Sequence, residues 1–212
     1  MLPAIILEVI DSFQKIPGLG KRSSQKLTLD LLELQLDNYN ELIAKVQTMK
    51  EVIKFCSICG FFCDRDVCNI CSSNSRNKHQ ICLVEKTTDV LNIEKTQVYS
   101  GTYHVLNKLI SPIDNIFVQQ TKLLDLLQLR LPDKIASLKP DQTIELIIFF
   151  KAGFSADSTM AYIKDFIRQK NWQSKILITK LAEGLPLYYN PDNLDQATII
   201  RAIEDRRNIE VV

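Results

Sequence analysis

Residues 55–71 read FCSICGFFCDRDVCNIC and hold five of the six cysteines in the chain. Two Cys-x-x-Cys pairs stand out within this stretch, Cys56 with Cys59 and Cys68 with Cys71, and eight residues separate the pairs. Each pair can form a tight turn that presents two thiolates, and two such turns complete a tetrahedral site for Zn²⁺. Because four thiolates leave no open position for water or substrate, we expect a structural zinc site rather than a catalytic one.

The other two cysteines are not paired in this way. Cys63 lies between the pairs and is an alternative zinc ligand, and a redox role for one Cys-x-x-Cys pair is a further alternative. Cys82 lies in an apolar run, ICLVE, where a small buried thiol is expected. The predicted ligand set is therefore the two pairs.

The composition is typical of a soluble globular protein, since 46% of the 212 residues are hydrophobic and 24% are charged. No apolar run approaches the roughly 20 residues of a membrane-spanning helix. The first residues, MLPAIILEVIDSF, have neither the basic region nor the cleavage site of a signal peptide. We expect a soluble, cytoplasmic protein without a membrane partner, and in a reducing cytoplasm clustered cysteines hold a metal more often than they form disulfides.

Residues 1–53 are predicted to be helical, because apolar residues recur at helical spacing through three segments. Between the first two segments lies IPGLGKRSSQK (16–26), in which Gly18 and Gly20 permit positive φ in a tight turn. The sequence therefore predicts a helix, a glycine hairpin and a second helix. Backbone N–H groups at such a hairpin point outward and suit a phosphate oxygen.

A basic window without acidic residues surrounds this hairpin and contains Lys15, Lys21, Arg22 and Lys26. Arg22 and Lys26 are four residues apart and share one face of the predicted helix. Because the formal net charge is only +1, DNA binding has to come from such a local cluster. The window is a candidate contact with the DNA backbone that reads no bases. The alternative is a protein–protein adaptor, in which the hairpin is scaffold and the basic residues only solvate it.

Short apolar runs alternate with helical segments after the cysteines and after a polar linker, SSNSRNKHQ (72–80). Strands are predicted at 81–85, within 98–106, at 144–150 and at 175–179, and helices at 118–129, from a Ser155 cap to about residue 169, and from an Asp195 cap to about residue 207. This alternation predicts a mainly parallel sheet with both faces covered.

Three carboxylates suggest metal catalysis as an alternative. Glu85 ends the first of these strands, at the edge where open sheets bind ligands, Asp89 lies on the next helix, and Asp114 lies in a later loop. Such carboxylates can hold Mg²⁺ for phosphoryl transfer, so the alternative function is a Mg²⁺-dependent nuclease or primase-like enzyme. However, no Asp-x-Asp pair follows a later buried strand, since the one such pair, Asp64 with Asp66, lies among the cysteines.

Nucleophilic catalysis is not indicated either. The two histidines, His79 and His104, lie outside any recognisable triad context, and His104 in YHVL is expected to be a packed histidine. The segment KAGFSADST lacks the Gly-Lys-Ser/Thr ending of a phosphate-binding loop. We therefore expect no catalytic residue.

The order of these modules and several motifs resemble the RecR family of bacterial recombination mediators over nearly the whole chain. IPGLGKRSSQKL is similar to the hairpin of that family, and CSIC and CNIC have the spacing of its zinc finger. ICLVE, YSGTYHVL and ISPID are similar to signatures of its Toprim domain, and LAEGLP and AIEDRR to its C-terminal segment.

The resemblance implies a multi-module α and α/β fold in four parts. These are a helix–hairpin–helix (1–53), a four-cysteine zinc finger (54–78), a Toprim domain with a mainly parallel sheet (79–174), and a C-terminal oligomerisation segment with a strand and a helix (175–212). It also implies a non-enzymatic, DNA-binding clamp subunit of recombinational DNA repair, which acts with RecO and RecF to load recombinase onto single-stranded DNA. Family members form dimers or tetrameric rings that can encircle DNA, so single- and double-stranded DNA are the expected ligands, without sequence preference.

The resemblance and the hairpin together give three sets of predicted site residues: zinc ligands, DNA contacts and contacts for RecO. The zinc ligands are Cys56, Cys59, Cys68 and Cys71, the DNA contacts are Gly18, Gly20, Lys21, Arg22 and Lys26, and the RecO contacts are Glu85 and Asp89. The chain departs from the family pattern at KAGFSAD (151–157), where the family has Asn-Pro-Thr and Glu-Gly, and after LAEGLP, where Tyr188 and Tyr189 replace a glycine pair.

Overall fold

The computed structural model describes residues 2–181, and the chain divides between Ile53 and Lys54 into two compact units. The first unit is helical, as its apolar spacing predicts. Its helices are α1 (Ala4–Gln14), α2 (Lys21–Glu33) and α3 (Leu36–Val52). In the described part of the chain, no helix is long and apolar enough to cross a membrane.

The first unit buries few of its own side chains. The helices α1 and α2 pack together, and Ile10, Ser24 and Thr28 are the buried residues among residues 2–53. The third helix, α3, is exposed along its whole length and contributes no buried residue. Its apolar positions are therefore uncovered within the unit.

The hairpin between α1 and α2 uses its two glycines differently. Gly18 has a φ of +91°, in the left-handed region that glycine adopts readily. Gly20 has a φ of −77° and a ψ of 170° and is the N-cap of α2. Only the first glycine therefore uses the freedom that the sequence predicted for both, because an N-cap takes an ordinary extended conformation.

The second unit starts with residues 54–72, which contain both cysteine pairs and which we call the finger. Its antiparallel hairpin joins β1 (Lys54–Phe55) to β2 (Phe62–Cys63), and a short helix, α4 (Asn69–Ser72), follows. The α/β part comes next. It comprises β3 (Asn77–Val84), α5 (Thr87–Thr96), β4 (Gly101–Val105), a π-helical turn (Asp125–Arg130), α6 (Leu131–Ala136), β5 (Ile144–Phe149), α7 (Phe154–Gln169) and β6 (Ile176–Lys180).

The four strands of the α/β part form one parallel sheet in the order β4-β3-β5-β6. The predicted parallel sheet is confirmed. In its register, Leu83 of β3 lies beside His104 of β4 on one side and Ile148 of β5 on the other. These central strands are apolar on both faces, as buried parallel strands are.

Both faces of the sheet are covered, but by different parts of the second unit. On one face, Leu83 and Leu146 pack in a cluster with side chains of α6 and α7. On the other face, Val84 packs with α5, and Phe61 and Ile70 of the finger complete that cluster. The finger therefore serves as part of the cover of the sheet.

The first strand of the sheet begins earlier than predicted. It starts at Asn77, so the second half of the predicted linker (72–80) is strand. The polar side chains there have partners in the sheet, since the Gln80 amide donates to a carboxylate oxygen of Glu145 at 2.8 Å. Such a cross-strand pair lets a polar segment continue a strand that its sequence does not predict.

The predicted helix at 118–129 is present but interrupted. Val118–Gln120 form a 3₁₀ helix, and the chain is then extended at Thr121, with a φ of −112° and a ψ of 164°. The Thr121 hydroxyl accepts a hydrogen bond from the amide of Leu123 at 3.2 Å. Bonds of this kind compete with helical ones. The chain is helical again from Leu123, and the π-helical turn Asp125–Arg130 leads directly into α6.

The start of α7 also differs from the prediction. Its N-cap is Gly153, with a φ of +150°, rather than Ser155. A glycine tolerates this φ, and the helix therefore begins at Phe154, two residues earlier than a Ser155 cap would place it. The predicted end near residue 169 is confirmed. The last predicted helix, from Asp195 to about residue 207, lies outside the described residues.

Candidate zinc centre and nucleic-acid interface

Two tight turns of the finger present the cysteine pairs. In the first turn, the amide of Gly60 donates to the carbonyl of Cys56 at 2.9 Å, and Gly60 has a φ of +74°. Glycine adopts this positive φ readily, whereas a Cβ at this position would be in ordinary van der Waals contact with Val105, so the backbone conformation is what favours glycine here. In the second turn, Cys68 is the N-cap of α4, and its Sγ accepts from the amide of Cys71 at 3.5 Å.

The four sulfur atoms of these pairs converge on one point. All of them lie within 4.8 Å of one another, and the Cys59 and Cys68 sulfurs are 3.5 Å apart. A tetrahedral zinc–thiolate site has Zn–S bonds of about 2.3 Å and hence S–S edges of about 3.8 Å. The set therefore fits Zn²⁺ in number, chemistry and spacing. Within residues 2–181 it is the one group of three or more His, Cys, Asp or Glu side chains placed to hold a metal.

The hydrogen bonds among the sulfurs lower the pKa of Cys68 and raise the pKa of Cys59, and the neighbouring Cys68 raises the pKa of Cys71, so a thiolate is favoured at Cys68. Hydrogen bonds from the Cys59 and Cys71 thiols lower the pKa of Cys68, and the hydrogen bond that Cys59 shares with Cys68 raises the pKa of Cys59. The amide of Cys68 also donates to the Sγ of Cys56 at 3.3 Å. Because zinc binds the thiolate form, these donors prepare the site for the metal.

The two remaining cysteines have partners or surroundings of another kind. The Cys63 thiol donates to the carbonyl of Arg65 at 2.9 Å, burial raises its pKa, and its sulfur is not one of the four that converge. Cys82 is buried, as predicted, and burial raises its pKa to about 12. Both thiols are therefore core side chains, and Cys63 does not compete for the metal.

The finger is attached to the edge of the sheet. The amide of Val105 in β4 donates to the carbonyl of Cys59 at 2.8 Å, and the Lys78 ammonium of β3 donates to the carbonyl of Cys71 at 2.5 Å. Since β4 is an outer strand, the first bond satisfies an amide that an open edge would leave exposed. One hydrogen bond to each cysteine turn thus fixes the finger to the α/β part.

The predicted DNA contacts lie together at the start of α2. Lys21 and Arg22 are its first two residues, Lys26 follows one turn later, and all three side chains are exposed. None of them takes part in an ion pair within residues 2–181. The N-cap, Gly20, supplies no side-chain acceptor to the first amides of the helix. The positive end of α2 and three cations are therefore available to an anion.

Known proteins are similar to this chain in both its cysteine region and its sheet region. Residues 53–73 match the model of the four-cysteine zinc finger domain of RecR, and residues 79–182 match the model of the Toprim domain. Recombination protein RecR of Paenarthrobacter aurescens (strain TC1) is 33% identical over 208 residues, which span 98% of this chain and 98% of that protein. The chain belongs to the RecR family.

RecR membership confirms three predictions from the sequence. The order of a helical N-terminal part, a four-cysteine site and a parallel α/β sheet is the predicted multi-module fold. The four clustered sulfurs, within a segment that matches the zinc finger of RecR, confirm structural zinc as the cofactor. The chain is a recombination and repair protein.

Two Toprim carboxylates, Glu85 and Asp114, share a cavity with lysines. Glu85 directly follows β3 and lines a cavity of about 430 Å³ with Asp114, Lys108 and Lys151. The Ser111 hydroxyl donates to a carboxylate oxygen of Asp114 at 2.5 Å. Lys151 belongs to the segment that departs from the RecR pattern. A cavity lined by two carboxylates and two ammonium groups does not offer the oxygen-rich, negatively charged set that Mg²⁺ prefers.

The two predicted RecO contacts lie on one further cleft. Glu85 and Asp89 both line it, and both are partly buried. Asp89 lies in the first turn of α5, as predicted, and its Oδ2 accepts from the amide of Lys86 at 2.8 Å. This carboxylate therefore stabilises the start of α5, a role that the sequence analysis did not assign to it.

Three basic residues beside the finger were not predicted from the sequence. Lys78, Arg130 and Lys134 line one cavity together with Cys71. They come from β3, the π-helical turn and α6, so no spacing rule connects them. No sequence pattern indicated this cluster, and Lys78 lies in the segment (72–80) that was predicted to be a linker.

Proposed function

We propose that the chain is a non-enzymatic DNA-binding clamp subunit in recombinational DNA repair, which acts with RecO and RecF to load recombinase onto single-stranded DNA. The proposal rests on RecR membership and on one observation above all. That observation is the trio Lys21, Arg22 and Lys26, exposed and without ion pairs in the described residues, at the positive end of α2.

The hairpin can hold a phosphate in two ways at once. The amides at the start of α2 have no side-chain cap, and the three basic side chains add charge at the same helix end. Nothing lies within 4 Å of a Cβ built at Gly18 or Gly20, so the hairpin surface is open to a DNA backbone. Contacts of this kind bind single- and double-stranded DNA without sequence preference.

A second copy of the chain is the partner that we propose for α3. This helix has an apolar face that nothing in its unit covers, and Leu36 is 72%, Met49 57% and Val46 49% exposed. The face also includes Tyr39 and Leu42. Apolar side chains repeated along one exposed helix indicate an interaction surface.

Assembly explains how a nearly neutral protein holds DNA. A hairpin with three cations binds weakly alone, but several hairpins in one dimer or tetrameric ring bind the same DNA at a high effective concentration. Closed symmetric assemblies are the usual form of homo-oligomers. The C-terminal oligomerisation segment (175–212) lies mainly outside the described residues and remains part of this proposal.

For RecO, we propose contacts at Glu85 and Asp89, which share one cleft on the Toprim domain. The double variant Glu85→Gln/Asp89→Asn removes both charges, and an asparagine still accepts the hydrogen bond that begins α5. We expect weaker binding of RecO in calorimetry, whereas Glu8→Gln/Asp11→Asn on α1 changes nothing. Equal affinity of both double variants and the wild type would count against these contacts.

The DNA proposal is tested by anisotropy of labelled duplex and single-stranded DNA against zinc-loaded protein across a salt series. We expect Arg22→Ala/Lys26→Ala to lower the affinity, and to make the slope against log salt shallower by about 0.9 for each phosphate that the variant no longer neutralises. The matched control is Lys164→Ala/Arg168→Ala, an exposed pair four residues apart on α7. If both double variants bind like the wild type, the hairpin is scaffold and the adaptor hypothesis is correct.

Enzymatic activity and oligomeric state are tested separately. Incubation with DNA and Mg²⁺ should yield no cleavage, and cleavage abolished by Glu85→Ala would establish the nuclease instead. Native mass measurement should show an oligomer that Val46→Glu/Met49→Glu disrupts, while Ala44→Glu/Thr48→Glu, on the opposite face of α3, leaves it intact. A monomer at micromolar concentration for the wild type would contradict the assembly.

A further inference from the structure

A cavity of about 460 Å³ lies between the finger and the Toprim domain, within the second unit. One wall is Cys71, a member of the zinc set. Three cations line the cavity as well: Lys78 from β3, Arg130 from the end of the π-helical turn, and Lys134 from α6. Charged side chains from three separate elements therefore converge beside the metal site.

Backbone carbonyls, not carboxylates, hold these cations in place. The Lys78 ammonium donates to the Cys71 carbonyl at 2.5 Å, and the Lys134 ammonium donates to the Lys78 carbonyl at 2.6 Å. Arg130 donates to the carbonyl of Tyr103 at 2.6 Å and to the hydroxyl of Thr102 at 2.9 Å. None of the three takes part in an ion pair within the described residues, and the buried Nε of Arg130 has no partner there.

Positive charge is therefore concentrated in the cavity. Of its two aspartates, Asp125 is paired with Lys122 at 3.0 Å, and Asp133 is exposed. Burial, together with the like charges of Arg130 and Lys78, lowers the pKa of Lys134 to about 8. Cations that repel one another at a partly buried site need an anion among them.

A zinc–thiolate centre at the four cysteines would be such an anion. Four thiolates around a divalent zinc carry a net double negative charge, which is costly to bury without compensation. Two amide donors, those of Cys68 and Cys71, reach the sulfurs within the finger. Burial lowers the pKa of Arg130, and the Cys71, Cys59 and Cys56 sulfurs act in the opposite direction.

We propose that Arg130, aided by Lys78 and Lys134, supplies the positive charge that balances the zinc–thiolate centre, so that the Toprim domain helps to set how tightly the finger holds its metal. The three cations offset the double charge of the centre and the charge of Asp133. They line the cavity beside Cys71, where Lys78 donates to the carbonyl of that cysteine, and they are positioning residues, not ligands.

The π-helical turn is part of this arrangement. A π-helix is rare, and where it occurs it often marks a functional position. Here the turn Asp125–Arg130 ends at the arginine, and Pro132 lies in the first turn of the α-helix that follows. The Arg130 side chain reaches β4 beside the finger, where it donates to the carbonyl of Tyr103.

The test compares two replacements in the zinc-loaded full chain. Arg130→Gln removes the charge, whereas Arg130→Lys keeps it and loses the forked hydrogen bonds. In competition with a chelator, we expect Arg130→Gln to lose zinc affinity by roughly 10–100-fold, the usual effect of removing an outer partner of a metal site. Arg130→Lys should retain most of the affinity. Arg168→Gln, an exposed arginine on α7, serves as the control and should hold zinc like the wild type.

A spectroscopic measurement separates charge from scaffold. In the Co²⁺-substituted protein, nearby cations stabilise the sulfur electrons and raise the energy of the thiolate-to-metal charge-transfer band. We expect this band to move to lower energy in Arg130→Gln and, by a smaller amount, in Lys134→Met. The second variant loses one bond to a backbone carbonyl, so it provides the measurement even if Arg130→Gln does not fold.

Three results would overturn the proposal. Zinc affinity of Arg130→Gln equal to that of the wild type would show that the charge is irrelevant. Equal losses in Arg130→Gln and Arg130→Lys, with the charge-transfer band of Lys134→Met unmoved, would show that Arg130 acts only through its bonds to β4. Saturable binding of inorganic phosphate to the zinc-loaded wild type, abolished in Arg130→Gln, would show that the cations await a ligand and are not neutralised by the thiolates.

Discussion

The two units of the molecule differ in how they keep their apolar side chains from water. In the second unit, core side chains such as Leu83, Leu146 and Ile163 are 0% exposed. In the first, Ile10 is the one buried apolar side chain among residues 2–53. A metal site and a covered sheet stabilise the second unit from within, whereas the first unit has few buried side chains of its own.

Two helices of nearly equal length make the difference concrete. The 16 residues of α7 bury Ala156, Ile163 and Ile167, whereas the 17 residues of α3 bury none. Helices in proteins draw most of their stability from packing an apolar face. The face of α3 therefore needs a cover that its own unit does not supply, which is the role we assign to a second copy of the chain.

Removing a zinc ligand from the finger should have the largest effect on stability. Cys56→Ser removes one zinc ligand, and because structural zinc contributes on the order of 10 kcal/mol, we expect metal loss and unfolding of the finger. Zinc analysis and thermal unfolding by circular dichroism measure the two effects. Cys63→Ser is the control, since that thiol is outside the zinc set, and it should keep full zinc content. Full zinc and unchanged melting in Cys56→Ser would refute the structural role of the metal.

Replacing one leucine by alanine in each unit should have the next largest effect on the unfolding free energy. Leu146→Ala removes a side chain from the sheet core and should cost about 2–5 kcal/mol of unfolding free energy. Leu42→Ala, on the exposed face of α3, should cost about 0.5 kcal/mol or less in the monomer. Denaturant titrations at several protein concentrations distinguish the two. If α3 is an interface, the cost of Leu42→Ala rises with concentration and that of Leu146→Ala does not.

The sequence predicted the features that depend on near neighbours in the chain. The spacing of Cys56, Cys59, Cys68 and Cys71 was sufficient for the metal site, because two turns of fixed length present the four sulfurs. The buried strands were equally clear, because apolar runs such as IELIIFF have few alternatives. In both cases the pattern is complete within a short segment.

Features that depend on distant residues could not be predicted. The Arg130 guanidinium lies beside the finger only because a π-helical turn and the fold bring it there, and its spacing from Cys71 carries no information. The same holds for β3, whose polar start is a strand because Gln80 finds Glu145 across the sheet. The exposure of α3 is a third case, since its apolar spacing is that of a buried helix.

The buried His104 should make stability depend on pH. Burial lowers its pKa to about 4 from an ordinary value of 6.5, so protonation favours the unfolded chain. Its contribution is complete above about pH 6.5 and is lost as the pH falls toward 4, by about 2 kcal/mol between pH 7 and pH 5. His104→Gln should lose less stability on acidification than His79→Gln, as denaturant titrations at both pH values would show.

Zinc release on acidification does not confuse this comparison, because both histidine variants keep the same four cysteines. In His104→Gln, the new side-chain amide would replace the ring that bonds to the carbonyl of Lys122 at 2.8 Å in the wild type. Parallel pH profiles for the two variants would mean that His104 does not titrate across this range. The pH dependence would then have to be assigned to the thiolates of the finger.

The smallest effect, and the most local, concerns the two hairpin glycines, where one substitution should act with opposite signs. Gly18→Ser places a side chain at a φ of +91° and should destabilise α2 by about 1 kcal/mol. Gly20→Ser puts a capping hydroxyl at the N-cap and should stabilise α2 by a few tenths of a kcal/mol. Since nothing lies within 4 Å of either added Cβ, steric clashes do not contribute.

Hydrogen exchange of the α2 amides in the full chain reads both changes, with exchange about fivefold faster in Gly18→Ser and slightly slower in Gly20→Ser. The same comparison can explain why the wild type has glycine at position 20. A serine at position 20 would cap the helix with its own hydroxyl and occupy the amides that we assign to a phosphate. If Gly20→Ser stabilises α2 yet weakens DNA binding, then the wild-type glycine makes α2 less stable but leaves its first amides free to bind a DNA phosphate. If it strengthens both, those amides do not bind DNA.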